Sequence, residues 1–138
     1  MRFMILVKSD ATSEAGVLPD EELLTDMSRY NEELARAGVL LAGEGLQASS
    51  KGARVQFSGS SRTVVDGPFA DAKDLVAGFW ILQVKSKEEA IEWVKRVPFH
   101  EGEIEIRQVF EADDFGPALT PELRAAEERL RAQPAAKN

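Results

Sequence analysis

The sequence contains no cysteine and only one histidine in 138 residues. Without cysteine the chain has no disulfide, no thiolate metal site and no cysteine nucleophile, although this says little about its redox compartment. Histidine is the side chain whose ordinary pKa lies nearest neutrality, so His100 is the single candidate of that type for proton transfer. A lone histidine in a loop beside Glu101 is also typical of an ordinary surface residue.

Positive charge and long hydrophobic runs are scarce as well. The 17 lysines and arginines face 24 acidic residues, giving a formal net charge of -7, which opposes the attraction on which DNA and RNA binding relies. The apolar start MRFMILV is interrupted by Lys8, and no signal-peptide pattern or stretch of membrane-spanning length follows. We therefore expect a cytoplasmic protein without nucleic-acid or membrane partners. With 43% hydrophobic residues, it has enough apolar side chains for one sizeable core.

The hydrophobic pattern predicts alternating strands and helices. Leu23, Met27, Tyr30 and Leu34 form one helical stripe, which ends near Gly38. A second helix is predicted from Ser86, which is spaced with Glu89 as a capping box. Strands are predicted at residues 2–8, 39–46, 54–57, 62–65, 75–84 and 103–110, and a short charged helix is predicted to follow Thr120. The segment SDATSEAG after the first strand looks flexible.

This order of elements predicts an α+β fold. Two strand-helix-strand halves fit a ferredoxin-like split βαβ subunit, in which two helices cover one face of an antiparallel sheet. The other face is also apolar and needs a cover, so we expect a homodimer packed sheet against sheet. The aromatic residues Trp80, Trp93, Phe79 and Tyr30 have the spacing of core residues, although they could also line a pocket.

The stretch VVDGPFADAKDLVAGFW, residues 64–80, carries the most specific motif. Asp66 ends a strand, Gly67 permits unusual backbone angles, Pro68 fixes its own φ and Phe69 supplies an apolar anchor, so DGPF forms a corner. The stretch resembles the signature of the DGPF branch of the YCII-related proteins. AGVLLAGEGL, WILQVKSKEEAIEWVKRVPF and EGEIEIRQVFE are similar to the rest of that pattern. The resemblance covers residues 1–112 and leaves 113–138 as a C-terminal extension with a short helix.

The resemblance implies a dimeric α/β barrel of two ferredoxin-like subunits and some small-molecule enzymes among the relatives. It also implies a His-Asp active site in the wider family. This sequence departs from that pattern, because the first helix contains no histidine and His100 lies after the second helix.

Six residues are candidates for a site. Asp66, Glu44 and His100 are candidate catalytic groups, and Lys73, Arg107 and Phe69 are candidate substrate-binding groups. Each has a structural alternative: Asp66 could accept backbone hydrogen bonds in its turn, Glu44 could lie at a β-bulge between two glycines, and Arg107 could form a cross-strand ion pair. Lys73 could belong to a solvated charge cluster.

Two functional classes remain open. One is a small-molecule enzyme of lyase or isomerase type, acting by acid/base chemistry on a polar or aromatic acid. The other is a non-catalytic ligand-binding or regulatory homodimer. No cofactor motif is present. The spacing of Asp66, Asp71 and Asp74 would allow Mg²⁺ or Ca²⁺, but these residues do not form a convincing ligand set, so we predict no metal.

Overall fold

The computed structural model describes residues 1–133 and divides the chain into two compact units, Met1–Gln108 and a second that begins at Val109. The elements of the first unit are β1 (Arg2–Lys8), α1 (Ala11–Glu14), α2 (Glu21–Arg36), β2 (Leu40–Gly45), β3 (Ala53–Ser58), β4 (Ser61–Asp66), β5 (Val76–Gln83), α3 (Lys87–Val94) and β6 (Ile104–Gln108). The second unit contains α4 (Pro121–Ala132).

Four strands form one antiparallel sheet in the order β2-β5-β1-β6. Helix α2 follows β1 and α3 follows β5, so each half of the sheet is a strand-helix-strand unit. This is the ferredoxin-like arrangement, and it confirms the α+β fold predicted from the sequence. The β3-β4 hairpin forms a separate two-stranded sheet.

The core lies on the helix-covered face of the large sheet. Ile5 is paired with Trp80 and Phe3 with Leu82 across β1 and β5, and all four side chains are buried. They pack in one cluster with Tyr30, Leu34 and Ala90 of the helices. The alternating residues of these strands lie on the opposite face and are half-buried: Met4, Leu6, Phe79 and Ile81.

The helix boundaries follow local signals in the sequence. Asp20 caps α2 by accepting a hydrogen bond from the Leu23 backbone N–H at 2.8 Å, and Gly38 follows the helix with φ of 74°. Ser86 caps α3 by accepting from the Glu89 N–H at 3.1 Å. The predicted capping box is only half formed, because the Glu89 carboxylate accepts from the Lys85 N–H instead of the Ser86 N–H.

The segment after β1 differs from the sequence expectation. It contains the short helix α1, so it is not an irregular connection. Asp10 accepts a hydrogen bond from the Ser13 N–H at 2.8 Å, which stabilises the first turn. The N-cap signal was therefore present in the sequence, but the following turn is too short to show a hydrophobic period.

The second unit begins with a kinked 3-10 segment and continues into α4. Thr120 accepts from the Leu123 N–H at 3.2 Å, as its position before Pro121 predicted. Arg124 of α4 forms an ion pair with Asp113 at 2.9 Å. Among residues 1–133, every helix is too short or too polar to cross a membrane.

Ionisation of Tyr30 lowers the stability of the fold at alkaline pH. Its hydroxyl donates to the Trp93 carbonyl at 2.7 Å, and burial raises the pKa of Tyr30 to about 12. An unfolded tyrosine ionises near pH 10, so stability that is complete below pH 10 is lost as the pH rises towards 12. We expect Tyr30 to account for about 1.4 kcal/mol of lost unfolding free energy by about pH 11.

Urea unfolding of the wild type and Tyr30→Phe, at about pH 8 and about pH 11, measures this contribution. The variant should be less stable at the lower pH by about 1 kcal/mol, because it lacks the hydrogen bond to Trp93. The difference between the two proteins should narrow or reverse at the higher pH. A constant difference would show that Tyr30 ionises equally easily in both states.

Candidate functional site

A cavity of about 710 Å³ lies between α2 and the end of the large sheet. The α2 side contributes Leu23, Met27 and Asn31, and the segment between α3 and β6 contributes Phe99 and His100. The sheet side is formed largely by glycines and by the residues beside them, and the connection through α1 contributes Asp10 and Ser13. A cavity of this size is typical of small-molecule sites, which bury an apolar ligand against a few polar groups.

Two glycines of β2 shape the sheet side of the cavity. A Cβ atom at Gly43 would lie 2.7 Å from Cδ1 of Trp80, so any side chain at this position would displace the indole ring. Gly45 lies two residues further along the same face, and a Cβ atom there would meet nothing within 4 Å. Gly43 therefore serves packing, whereas Gly45 leaves open space for a ligand.

Trp80 belongs both to the core and to the cavity wall. It is only 5% exposed, and its ring meets Tyr30 edge-on with centroids 5.5 Å apart. The indole Nε1 donates to Oδ1 of Asn31 at 2.8 Å. Because an indole N–H only donates, this bond fixes the amide oxygen of Asn31 towards Trp80 and leaves the amide nitrogen on the other side.

The cavity lining is rich in carboxylates. Lys8 is the one lysine that lines it, and arginine is absent from the lining within residues 1–133. Two of the acids also cap helices, since Asp10 caps α1 and Asp20 caps α2. Besides Glu44, six acidic residues line the cavity: Asp10, Asp20, Glu22, Asp26, Glu101 and Glu103.

The cavity brings together two of the predicted catalytic residues, Glu44 and His100. His100 is exposed on the segment between α3 and β6. Glu44 pairs with Phe79 in the sheet, and strand alternation points its side chain to the opposite face from Gly43 and Gly45. The backbone of Glu44 therefore borders the cavity, whereas its carboxylate points to the opposite face of the sheet.

The other four predicted residues lie outside the cavity lining. Asp66 and Lys73 are exposed, and Phe69 is half-buried. Arg107 is exposed and forms an ion pair with Glu105 of its own strand at 3.2 Å, in place of a cross-strand pair. Within the described part of the chain, His, Asp and Glu side chains form no group of three or more that could hold a metal ion.

The DGPF corner packs against the 3-10 turn Ser49–Lys51. A Cβ atom at Gly67 would lie 1.7 Å from the Ser49 carbonyl oxygen, so this position accepts only glycine. The Gly67–Pro68 peptide bond is cis. The Phe69 ring lies under the Arg54 guanidinium, 3.9 Å from Cζ to the ring centroid. The corner is therefore held by its glycine and its phenylalanine.

Ser49 connects this corner to the cavity wall. Its hydroxyl accepts a hydrogen bond from the Phe69 N–H at 3.0 Å and donates to the Glu14 carboxylate. The Ser49 backbone N–H also donates to Glu14, at 2.9 Å. Glu14 is the last residue of α1, and Ser13 beside it lines the cavity. The corner thus fixes α1, which forms one wall of the cavity.

Comparison with known proteins agrees with this architecture. The profile of the YCII-related domain matches residues 1–113. The chain belongs to the YCII-related family. Membership of its DGPF branch stays a prediction from the motif at residues 66–69.

Two individual proteins are similar to this YCII-related chain. An uncharacterised protein of Rhizobium meliloti (strain 1021) is 28% identical over 97 residues, which cover 69% of this chain and 78% of that protein. The 5-chloro-2-hydroxyhydroquinone dehydrochlorinase of Burkholderia phenoliruptrix AC1100, solved with 2,5-dihydroxybenzoquinone, is 17% identical with a TM-score of 0.33. That alignment covers 82% of this chain and 98% of the dehydrochlorinase. At this TM-score the structure carries no conclusion about the present protein.

Asn31 and Phe99 are among the cavity residues of this YCII-related domain that sequence reasoning missed. Asn31 lies between buried positions of the α2 stripe and resembled an ordinary polar residue of the helix surface. Phe99 follows Pro98 in a connection without periodicity. The sequence feature that could have indicated the cavity is the set of strand glycines Gly43, Gly45 and Gly78, because glycine within strands indicates a close approach of backbone or ligand.

Replacing Ser49 with alanine tests the connection between the corner and α1. The variant loses the hydroxyl bonds to Phe69 and Glu14, and we expect it to lower the unfolding free energy by about 1 to 2 kcal/mol. Ser50→Ala is the matched control, because Ser50 is exposed on the same turn. Urea unfolding of both variants measures the difference. Equal stability of the two variants would contradict a structural role for the Ser49 hydroxyl.

Proposed function

We propose that this protein is a small-molecule enzyme of lyase or isomerase type, which transfers a proton on a substrate bound in the α2 cavity. The observation that carries the proposal is the cavity itself, in which apolar side chains and open glycine backbone adjoin His100. Apolar walls give a ligand a surface to pack against, and a histidine beside them can exchange a proton with the bound molecule.

We assign the proton transfer to His100. It lies at the cavity, and an imidazole can both accept and donate a proton. Asp66 and Glu44 were the other catalytic candidates. We favour His100 because Asp66 lies outside the cavity lining and the Glu44 side chain points to the opposite face of the sheet. The predicted acidic substrate needed Lys73 or Arg107 to hold its charge, and neither residue lines the cavity.

Solvent hydrogen exchange tests this assignment without a known substrate. Small carbonyl compounds with acidic C–H bonds are incubated with the protein in D₂O, and deuterium incorporation is followed by mass spectrometry. We expect His100→Asn to slow exchange about a hundredfold, because it removes the proton carrier. Glu88→Gln, on the exposed side of α3, is the control. Equal exchange with and without His100 would contradict its role.

A non-catalytic binding protein is the second candidate. The observation that favours it is the exposure of His100, because a catalytic group is commonly enclosed with a second polar partner. This alternative predicts compounds that bind in the cavity and show neither turnover nor exchange. Exchange that depends on His100 excludes it.

We also propose that the protein is a homodimer formed through the sheet face opposite the helices. Met4, Leu6, Phe79 and Ile81 lie on that face and are only half-buried within the single chain. An apolar sheet face of this kind favours association with a second copy. Light scattering at micromolar concentration should give twice the chain mass of 15.2 kDa. A monomer mass would contradict the proposal.

A further inference from the structure

The amide of Asn31 is a directed donor in the cavity wall. Its Oδ1 accepts from the Trp80 indole at 2.8 Å, so its Nδ2 hydrogens face away from Trp80. Within residues 1–133, Nδ2 has no hydrogen-bond acceptor, and it is not enclosed in the protein. Asn31 lines the cavity. The cavity therefore presents an oriented N–H donor that suits a carbonyl, ether or hydroxyl oxygen of a ligand.

The walls around this donor are apolar and partly aromatic. Met27 and Leu23 lie on the same helix as Asn31, and Phe99 lies on the facing segment. The open space at Gly45 provides room for a flat group against the strand backbone. These walls suit a planar or aromatic ligand, because such rings bury a large area with little loss of conformational freedom.

The charged residues around the cavity favour one sign of ligand charge. Six acids line it, against Lys8 as the one lysine of the lining within residues 1–133: Asp10, Asp20, Glu22, Asp26, Glu101 and Glu103. Asp10 and Asp20 also cap helices, and Asp26 is paired with Arg29 at 3.9 Å, so Glu22, Glu101 and Glu103 add most of the excess charge. A ligand carboxylate would meet repulsion at several sides, whereas an ammonium group would be attracted to the same groups. This excess of one sign opposes an acidic substrate and favours a cation.

We propose that the cavity binds an aromatic amine that also carries an oxygen acceptor, with Asn31 as the residue that selects the oxygen. The aromatic ring lies against the apolar walls, the oxygen accepts from Asn31 Nδ2, and the ammonium group lies among the carboxylates. This inference rests on the proposed function, because it names the ligand class of the same cavity.

Three matched probes test the two parts of the proposal. Para-acetylbenzylamine has both the ammonium group and the ketone oxygen, para-isopropylbenzylamine lacks the oxygen at nearly the same shape, and para-acetylbenzoate reverses the charge. Binding is followed by NMR through the indole N–H resonance of Trp80, which lies at the cavity. The ketone amine should bind about fivefold more tightly than the hydrocarbon amine and about tenfold more tightly than the acid.

Ionic strength and one variant sharpen the test. The preference for the amine over the acid should shrink between about 0.01 M and about 0.15 M salt, because the carboxylates are accessible to water. Asn31→Asp keeps an oxygen for the Trp80 N–H but removes both amide donors. Its added charge affects both amines equally, so the preference for the ketone amine over the hydrocarbon amine should disappear.

The outcomes separate this inference from the proposed function. If the acid binds more tightly than the ketone amine, the ligand class is wrong while the cavity remains the site. If the wild type binds both amines equally, the role of Asn31 is wrong, and this result needs no variant. If no probe shifts the Trp80 indole resonance while other resonances move, both the inference and the proposed site are wrong.

Discussion

Replacing Gly67 with alanine is expected to lower the free energy of unfolding by about 3 kcal/mol, the upper end of the range for overpacked positions. The added Cβ would lie 1.7 Å from the Ser49 carbonyl oxygen and 2.6 Å from its carbonyl carbon. Both atoms are backbone, so neither can rotate away as a side chain could. The corner must separate from the Ser49–Lys51 turn, and the hydrogen bond from the Gly67 N–H to the Gly52 carbonyl at 3.0 Å is lost with it.

Gly52→Ala is the matched control for this substitution. Gly52 lies on the same turn in an extended conformation, and its Cβ would lie 3.6 Å from the Ser49 oxygen, an ordinary contact. Urea unfolding should show a change of less than about 1 kcal/mol for this control. A similarly small change for Gly67→Ala would mean that the corner does not depend on its contact with the turn.

Replacing Gly45 with phenylalanine is expected to reduce ligand binding at least about tenfold while the fold is retained. The new side chain starts in open space, with nothing within 4 Å of its Cβ, and extends into the cavity that the ligand would occupy. Loss of the apolar contacts with the cavity wall accounts for a change of this size. Binding is measured by titration of para-acetylbenzylamine against the Trp80 indole resonance.

Gly45→Ala is the control for the cavity substitution, because a methyl group leaves most of the space free. Its affinity should remain within about threefold of the wild type, and both variants should unfold within about 1 kcal/mol of it. Unchanged binding in Gly45→Phe would place the ligand elsewhere. Loss of binding in both variants together with loss of stability would show that Gly45 acts through the fold.

Much of the fold was encoded in short stretches of sequence. The stripe of Leu23, Met27, Tyr30 and Leu34 defined α2, because four apolar residues at helical spacing must face a core. The alternation around Trp80 and Leu82 defined the buried face of β5 in the same way. These hydrophobic patterns lie within single elements, so they predict α2 and β5 without information on tertiary contacts.

The candidate site was much less predictable because its parts are distant in the sequence. Asn31 and Trp80 are separated by 49 residues, and only the folded chain brings the amide to the indole. Phe99 belongs to a connection with no period. Asp66 and Lys73 were candidates because they lie beside a specific motif, and the structure places both at exposed positions outside the cavity lining.

The DGPF motif gains a clear structural role from this arrangement. Gly67 and Phe69 hold the corner on Ser49, and Ser49 holds Glu14 at the end of α1. Through these contacts the motif supports α1, which forms one wall of the cavity. A substitution in the motif should therefore change stability before it changes ligand selectivity.

The most direct test of the cavity as the functional site is a crystal structure of the protein soaked with a mixture of aromatic amines and aromatic acids. We predict ligand density between Asn31, Gly45 and Phe99, with an oxygen atom within hydrogen-bonding distance of the Asn31 amide. Density confined to the surface around Asp66 and Phe69, with an empty cavity in the same crystals, would contradict the account.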